Sequence, residues 1–298
     1  MTLPRTVKIV EVGPRDGLQN ESKLISVPER RRFIDMLSQT GLSVIEVGSF
    51  VSPKWVPQMA KTGDVYEGIE KKAGVQYPVL VPNQQGLEKA LEAGVTEIAV
   101  FVAASETFSQ KNINCGIQES FERLDPVVKG AREIGMPIRG YISCVMGCPY
   151  EGDVPSGKVV EVAERLLKLG CLEISLGDTI GVGTPLQTRE LIRNLSKTVS
   201  IEQMAVHFHD TYGQALANIL TALEEGISVI DSSVAGIGGC PYAKGASGNV
   251  VTEDLLFMLT GMGIETGVHM DKLLKCGKYI TKLLGINPRS KVAIAMGD

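Results

Sequence analysis

The sequence predicts a closed (β/α)₈ TIM barrel with a C-terminal helical extension, and three observations predict it. Eight short β-rich runs recur, each followed by an amphipathic, helix-like segment that ends near glycine. Such alternation requires parallel strands joined by right-handed crossovers, and eight of them in about 240 residues favour closure over an open doubly wound sheet. No GxGxxG follows the first run, which argues against a dinucleotide-binding sheet.

The runs are TVKIVEV (6–12), VIEVGSF (44–50), YPVLVP (77–82), EIAVFVAAS (97–105), PIRGYISCV (137–145), CLEISLGD (171–178), MAVHFHD (204–210) and VIDSSVAG (229–236). Helices such as Pro28–Thr40 and Ser156–Leu169 separate them. The segment after Asn249 supplies the eighth helix, and a further helix is expected at about Met270–Gly285. The barrel then spans about residues 6–263 and the extension about 264–298, within one catalytic domain over 1–298; there is no linker or low-complexity tract.

Composition narrows the function classes. With 44% hydrophobic and 21% charged residues and 33 glycines, the chain has the make-up of a soluble, packed globular protein. A net charge of -4 without a basic cluster offers no footprint for nucleic acid. Apolar runs end after about ten residues, short of a membrane span, and strand-like residues begin at Val7, leaving no room for a leader. A cytoplasmic protein is expected. The six cysteines lack paired CxxC motifs and read as reduced thiols; Cys144 and Cys148, four apart, form the one candidate redox or metal pair.

The strand faces carry the functional signal. Ile45, Val47, Ile174, Leu176, Val206 and Phe208 fall on one alternate set and should face the helices. The other set holds Glu11, Glu46, Arg139, Tyr141, Ser143, Glu173, Ser175, His207, His209, Asp231 and Ser233, which then point into the barrel. Buried charges require counter-charges, hydrogen bonds or a metal, so a polar interior implies chemistry there. The bland alternative is an ion-pair network, Arg139 with Glu11 or Glu173.

His207 and His209 are two apart at the carboxyl end of the seventh run, which places both imidazoles on one face where barrel enzymes keep their sites. That arrangement suits a metal, against a reading of two hydrogen-bonded core histidines. In VGPRDGLQNE, Gly13, Pro14 and Gly17 punctuate a turn that fixes Arg15 and Asp16 at the rim. Asp16 can reach the same cation, and Arg15 can neutralise a developing oxyanion; the competing reading is a surface ion pair. Ser233–Glu253 reads SVAGIGGCPYAKGASGNVVTE, a glycine-rich flap around Cys240 followed by a helix start. Cys240 can act there as nucleophile or as acid/base. Asn249 is either an N-cap or a fourth metal ligand, with Glu253 one turn later able to anchor it. Lys111, Asn112 and Lys244 read equally as ligand contacts and as solvated loop positions.

These stretches resemble the 3-hydroxy-3-methylglutaryl-CoA lyase family of metal-dependent barrels. SVAGIGGCPY differs from the lyase signature SVAGLGGCPY only at Ile237, and AKGASGNVVTED, VGPRDGLQNE, SETFSQKNIN, SLGDTIGVGTP and HFHDTYGQALAN are similar to lyase motifs across the whole barrel. The resemblance implies retro-Claisen cleavage of 3-hydroxy-3-methylglutaryl-CoA to acetyl-CoA and acetoacetate, in the context of leucine degradation and ketone body formation. It also implies Mg²⁺ or Mn²⁺ on Asp16, His207, His209 and Asn249, with Glu46 supporting the cation from behind. Arg15 would bind substrate and stabilise the enolate-like oxygen, His207 or Asp16 would be the base, and Cys240 would help protonate the acetyl-CoA carbanion. Two imidazoles suit Zn, Fe or Mn better than Mg on ligand preference alone, so the metal choice rests on the resemblance. A homodimer is implied as well. The rivals are a Claisen condensing enzyme of the same superfamily and a non-catalytic acyl-CoA-binding barrel.

Overall fold

A computed structural model describes residues 3–239 and 248–297. The strands are β1 (Lys8–Glu11), β2 (Val44–Ile45), β3 (Gly48–Ser49), β4 (Val79–Leu80), β5 (Ile98–Ala103), β6 (Ile138–Ser143), β7 (Gly147–Cys148), β8 (Gly152–Asp153), β9 (Glu173–Asp178), β10 (Met204–Phe208) and β11 (Val229–Ser232). Nine of them make one sheet in the order β2-β1-β11-β10-β9-β6-β5-β4-β3. All its pairings are parallel. β2 and β3 belong to one run, bonded on both flanks: Glu46 N donates to Glu11 O (2.9 Å) and Val47 N to Pro78 O (3.0 Å). The sheet therefore closes on itself, and each of the eight expected runs contributes a stave. The small antiparallel pair β7–β8 lies outside the barrel sheet and has no counterpart in the sequence reading.

Helices cover the outside because each presents one apolar stripe. Val27–Ser38 begins with a capping box between Ser26 and Glu29 and buries Phe33, Ile34 and Leu37. Truncating a side chain such as Phe33 to alanine costs about 3–5 kcal/mol in cores of this kind. Ser156–Leu169 buries Val159, Val162, Ala163 and Leu166 and stops at Gly170, whose φ of 133° suits glycine. The eighth barrel helix is Thr252–Gly261, and the extension is Met270–Leu284, ended by Gly285 in the left-handed region. No helix among the described residues is long and apolar enough to cross a membrane.

Ile45, Val47, Ile174, Leu176, Val206 and Phe208 join the large outer core between sheet and helices, as their alternation predicts. One assignment is corrected. Glu11 shares the outward parity of Ile9, while Val10 and Val12 pack inside with Val44, Ala205 and Val229. Its carboxylate accepts from Gly13 N (2.8 Å), Val234 N (2.9 Å) and Thr252 Oγ1 (2.8 Å), so it braces the turns behind the wall and does not pair with Arg139.

Candidate active site at the carboxyl ends of the strands

Directly after β1 the chain makes one tight turn of helix, Gly13–Gly17, in which Val12 O receives the amides of Arg15, Asp16 and Gly17. Both glycines are required by close approach. A Cβ at Gly13 would lie 2.5 Å from Glu11 Oε1, and one at Gly17 would lie 2.8 Å from Ser233 Oγ. The turn thus holds Arg15 and Asp16 against the barrel mouth. Arg15 is buried, with Nε donating to Glu46 Oε2 (2.6 Å) and Nη1 to Asp16 Oδ1 (2.5 Å), and its guanidinium lies over the Tyr141 ring at 5.2 Å. It is not a surface ion pair.

His207 and His209 project from the end of β10 on the same side, with ring centroids 5.5 Å apart. Their Nε2 atoms lie 3.7 and 4.0 Å from Asp16 Oδ2, and one donor atom from each of Asp16, His207 and His209 falls within 4.8 Å of the others. Asn249 joins them across the chain: it bridges to His209, and Nδ2 donates to Asp16 Oδ2 (2.8 Å). The N-cap alternative for Asn249 does not hold, because the helix starts at Thr252 with Val251 in the cap position. Glu253 does not anchor Asn249; both its oxygens accept from Ala235 N (3.0 and 2.8 Å), and this corrects the expected contact. Its place is under the turn that leads into the glycine-rich segment. Among the described residues Glu46 reaches the ligand cluster through Arg15, and its Oε1 has no hydrogen-bond partner. Cys240 and Lys244 lie outside the described residues.

Charge in this cluster is arranged by burial and proximity. Burial pushes the Asp16 carboxyl up, yet Arg15 and the imidazoles outweigh it and hold the group well below the carboxylate range. Burial opposes a charge on His207, but the Asp16 and Asp231 carboxylates reverse this and raise it to about 9. His209 is lowered to about 4, by burial first and then by its neighbour His207. The ring of His209 is therefore neutral at ordinary pH, with a lone pair available to a cation.

The residues fit a divalent metal. One carboxylate oxygen and two imidazole nitrogens converge in a buried spot, a carboxamide sits beside them, and the mixed oxygen and nitrogen set suits a first-row cation such as Mn²⁺ on ligand chemistry. Arg15, Asp16, His207 and His209 form one wall of a cavity of about 170 Å³. Leu80 and Phe101, from β4 and β5, line the apolar part, and Phe108 and Asn112 reach in from the helix Glu106–Ile113. Lys111 and Asn112, expected on loops, both lie in this helix; Asn112 lines the cavity and Lys111 does not. Gln19, Asn20 and Thr179 also line it; they lie within VGPRDGLQNE and SLGDTIGVGTP, where nothing in the pattern of either stretch marks them individually. Asp231 was legible only as an inward polar position; it proves to sit directly behind His207.

Residues 6–280 match the family model described as HMGL-like. The mitochondrial hydroxymethylglutaryl-CoA lyase of Rattus norvegicus is 59% identical over 294 residues, covering 99% of this chain and 90% of the relative. The crystal structure of hydroxymethylglutaryl-CoA lyase from Pseudomonas aeruginosa superposes with a TM-score of 0.98 at 58% identity, covering 99% of each chain. An HMG-CoA lyase from Acinetobacter baumannii, solved in complex with coenzyme A and 3-methylmalate, gives a TM-score of 0.94 at 35% identity, covering 99% of this chain and 96% of that one. With a family match over most of its length and a barrel whose mouth gathers Arg15, Asp16, His207, His209 and Asn249, the chain belongs to the HMGL-like family.

Proposed function

We propose that the chain is a hydroxymethylglutaryl-CoA lyase that cleaves 3-hydroxy-3-methylglutaryl-CoA to acetyl-CoA and acetoacetate with a divalent cation, Mg²⁺ or Mn²⁺. The observation that carries the reading is the convergence of a buried guanidinium with a carboxylate and two imidazoles on one cavity wall. Asp16, His207, His209 and Asn249 would hold the cation, which when bound polarises the substrate oxygens that face it.

In this reaction the hydroxyl proton on C3 leaves to a base, the C2–C3 bond breaks, C3 becomes the ketone of acetoacetate, and C2 takes a proton as the methyl of acetyl-CoA. His207 and Asp16 are the two candidates for the base, and both face the cavity. Arg15 is pinned by Glu46 and Asp16, so its charge meets the enolate-like oxygen without reorganising. Cys240 is assigned as the proton donor to C2 on the resemblance of SVAGIGGCPY to the lyase signature. Leu80 and Phe101 supply an apolar surface for the substrate's methyl-bearing carbon. The partners in this reading are the acyl-CoA and a second copy of the chain.

The test is acetoacetate release from 3-hydroxy-3-methylglutaryl-CoA by the wild type and by Cys240→Ala and His207→Ala, with Mn²⁺ present and after chelation. Turnover is expected from the wild type with metal only. Near-normal turnover in both variants overturns the residue assignments, and turnover only of a shorter or longer acyl homologue overturns the substrate.

A further inference from the structure

The candidate ligands stand on a charged column that runs down the inside of the barrel. His207 and Asp231 are cross-strand partners on β10 and β11, and Asp231 Oδ2 lies 3.1 Å from His207 Nδ1. Asp231 is fully buried and accepts from every other side: Arg139 Nη2 to Oδ1 (2.7 Å), Arg139 Nη1 to Oδ2 (3.0 Å) and Ser175 Oγ to Oδ2 (2.8 Å). Arg139 in turn donates through Nε to Glu173 Oε1 (2.7 Å), its neighbour across β6 and β9, and Lys8 Nζ closes the column on Glu173 Oε2 (2.9 Å). From the far end inward the charges alternate: Lys8, Glu173, Arg139, Asp231.

This arrangement dictates how His207 presents itself. Asp231 meets the guanidinium on two nitrogens, which donate and cannot accept, so the group is held as an acceptor-only carboxylate in one orientation. Nδ1 of His207, facing that carboxylate, must carry the hydrogen. Where a cation would take the place of the second proton that Asp16 and Asp231 otherwise favour on this ring, the lone pair is left on Nε2, which points to Asp16 and the space shared with His209. We propose that Asp231, locked by Arg139 and Ser175, is the positioning residue that holds His207 as its Nδ1–H tautomer and aims Nε2 at the cation. The proposal rests on the cation site put forward above. Carboxylates behind metal-bound histidines typically change metal affinity by 10–100-fold when altered.

Two measurements test it. The protein has three histidines, so a ¹⁵N-histidine spectrum of the Mg²⁺-loaded wild type is assigned with His207→Gln and His269→Gln. His207 is expected as the Nδ1–H form; an Nε2–H form in the loaded wild type overturns the proposal without any change to the column. Mn²⁺ affinity, read by electron paramagnetic resonance, is expected to weaken about 10–100-fold in Asp231→Asn, which keeps the shape and removes the charge. Ser175→Ala, which removes one donor and keeps the carboxylate, is expected to weaken it less than tenfold. An Asp231→Asn protein with native near-ultraviolet dichroism and wild-type Mn²⁺ affinity overturns the proposal. A wild type that binds no Mn²⁺ overturns the cation site itself, and the positioning role with it.

Discussion

Replacing Arg15 by lysine keeps the positive charge and removes the fork, so it separates two accounts of what this side chain does. In the structure Nε and Nη1 hold separate carboxylates, Glu46 at 2.6 Å and Asp16 at 2.5 Å. A single ammonium cannot hold both in that geometry and also keep a charge at the cavity wall. At least one charge-assisted hydrogen bond to a buried carboxylate is lost, which costs roughly 1.5–3 kcal/mol of stability. Glu46 is fully buried and raised by its burial despite Arg15, so part of that cost is relieved if Glu46 takes up a proton. For catalysis, misplacing one preorganised donor at a developing oxyanion lowers kcat by about 10²–10³, equivalent to about 2.7–4 kcal/mol. The assay is steady-state acetoacetate formation with saturating Mn²⁺, with thermal unfolding run alongside. Arg15→Lys is expected to lose kcat by that factor while remaining folded. A kcat within about threefold of wild type would refute the fork and leave only a point charge.

Two further outcomes follow from the buried groups behind the wall. Burial raises Glu253 to about 8 and Glu11 to about 7, above the ordinary value of 4.5. Folded pKa values above the unfolded ones mean that these carboxyls contribute stability fully below about pH 4.5 and lose it as pH rises through 7 to 8, by up to about 1.4 kcal/mol per pH unit for each group. Denaturation midpoints are expected to fall between pH 5 and pH 9, with a shallower fall in Glu253→Gln; an unchanged slope in that variant contradicts the assignment. Gly17→Ala places a methyl 2.8 Å from Ser233 Oγ and Ile237 Cγ1 and 3.0 Å from Ile237 O, and is expected to cost about 1–3 kcal/mol and to displace Asp16. Wild-type stability together with wild-type Mn²⁺ affinity would show that the turn has room to spare.

Much of the barrel was legible because its signals are local. The eight runs, their alternation with amphipathic segments and the outward set from Ile45 to Phe208 depend on spacing within each run, and the sheet order bears them out. His207 and His209 were likewise readable as a pair, since a spacing of two places both on one face of an extended run, here the end of β10 and the residue after Phe208. Arg15 and Asp16 were marked by the glycines that their turn requires.

Which face of a strand points inward, however, is set by its neighbours. Glu11 looked like one of the interior charges because it is ionisable and lies in an apolar run, but β1 pairs with β11 so that Val10 faces Asp231 and Glu11 faces Ser232. That register turns Glu11 out toward Thr252 and gives Arg139 to Asp231. The same dependence on tertiary pairing explains Asn249 and Glu253. Asn249 sits at a bridge to His209, and Glu253 sits beneath Ala235, contacts made between segments rather than along one helix. By itself, the sequence determined the repeating staves, the paired imidazoles and the charged turn after the first strand, because each is written in the period of a single element. Only the closed barrel decided that Asp16, His207 and His209 share one point and that Asp231 stands behind His207, because those distances arise when strands far apart in the chain are brought into register.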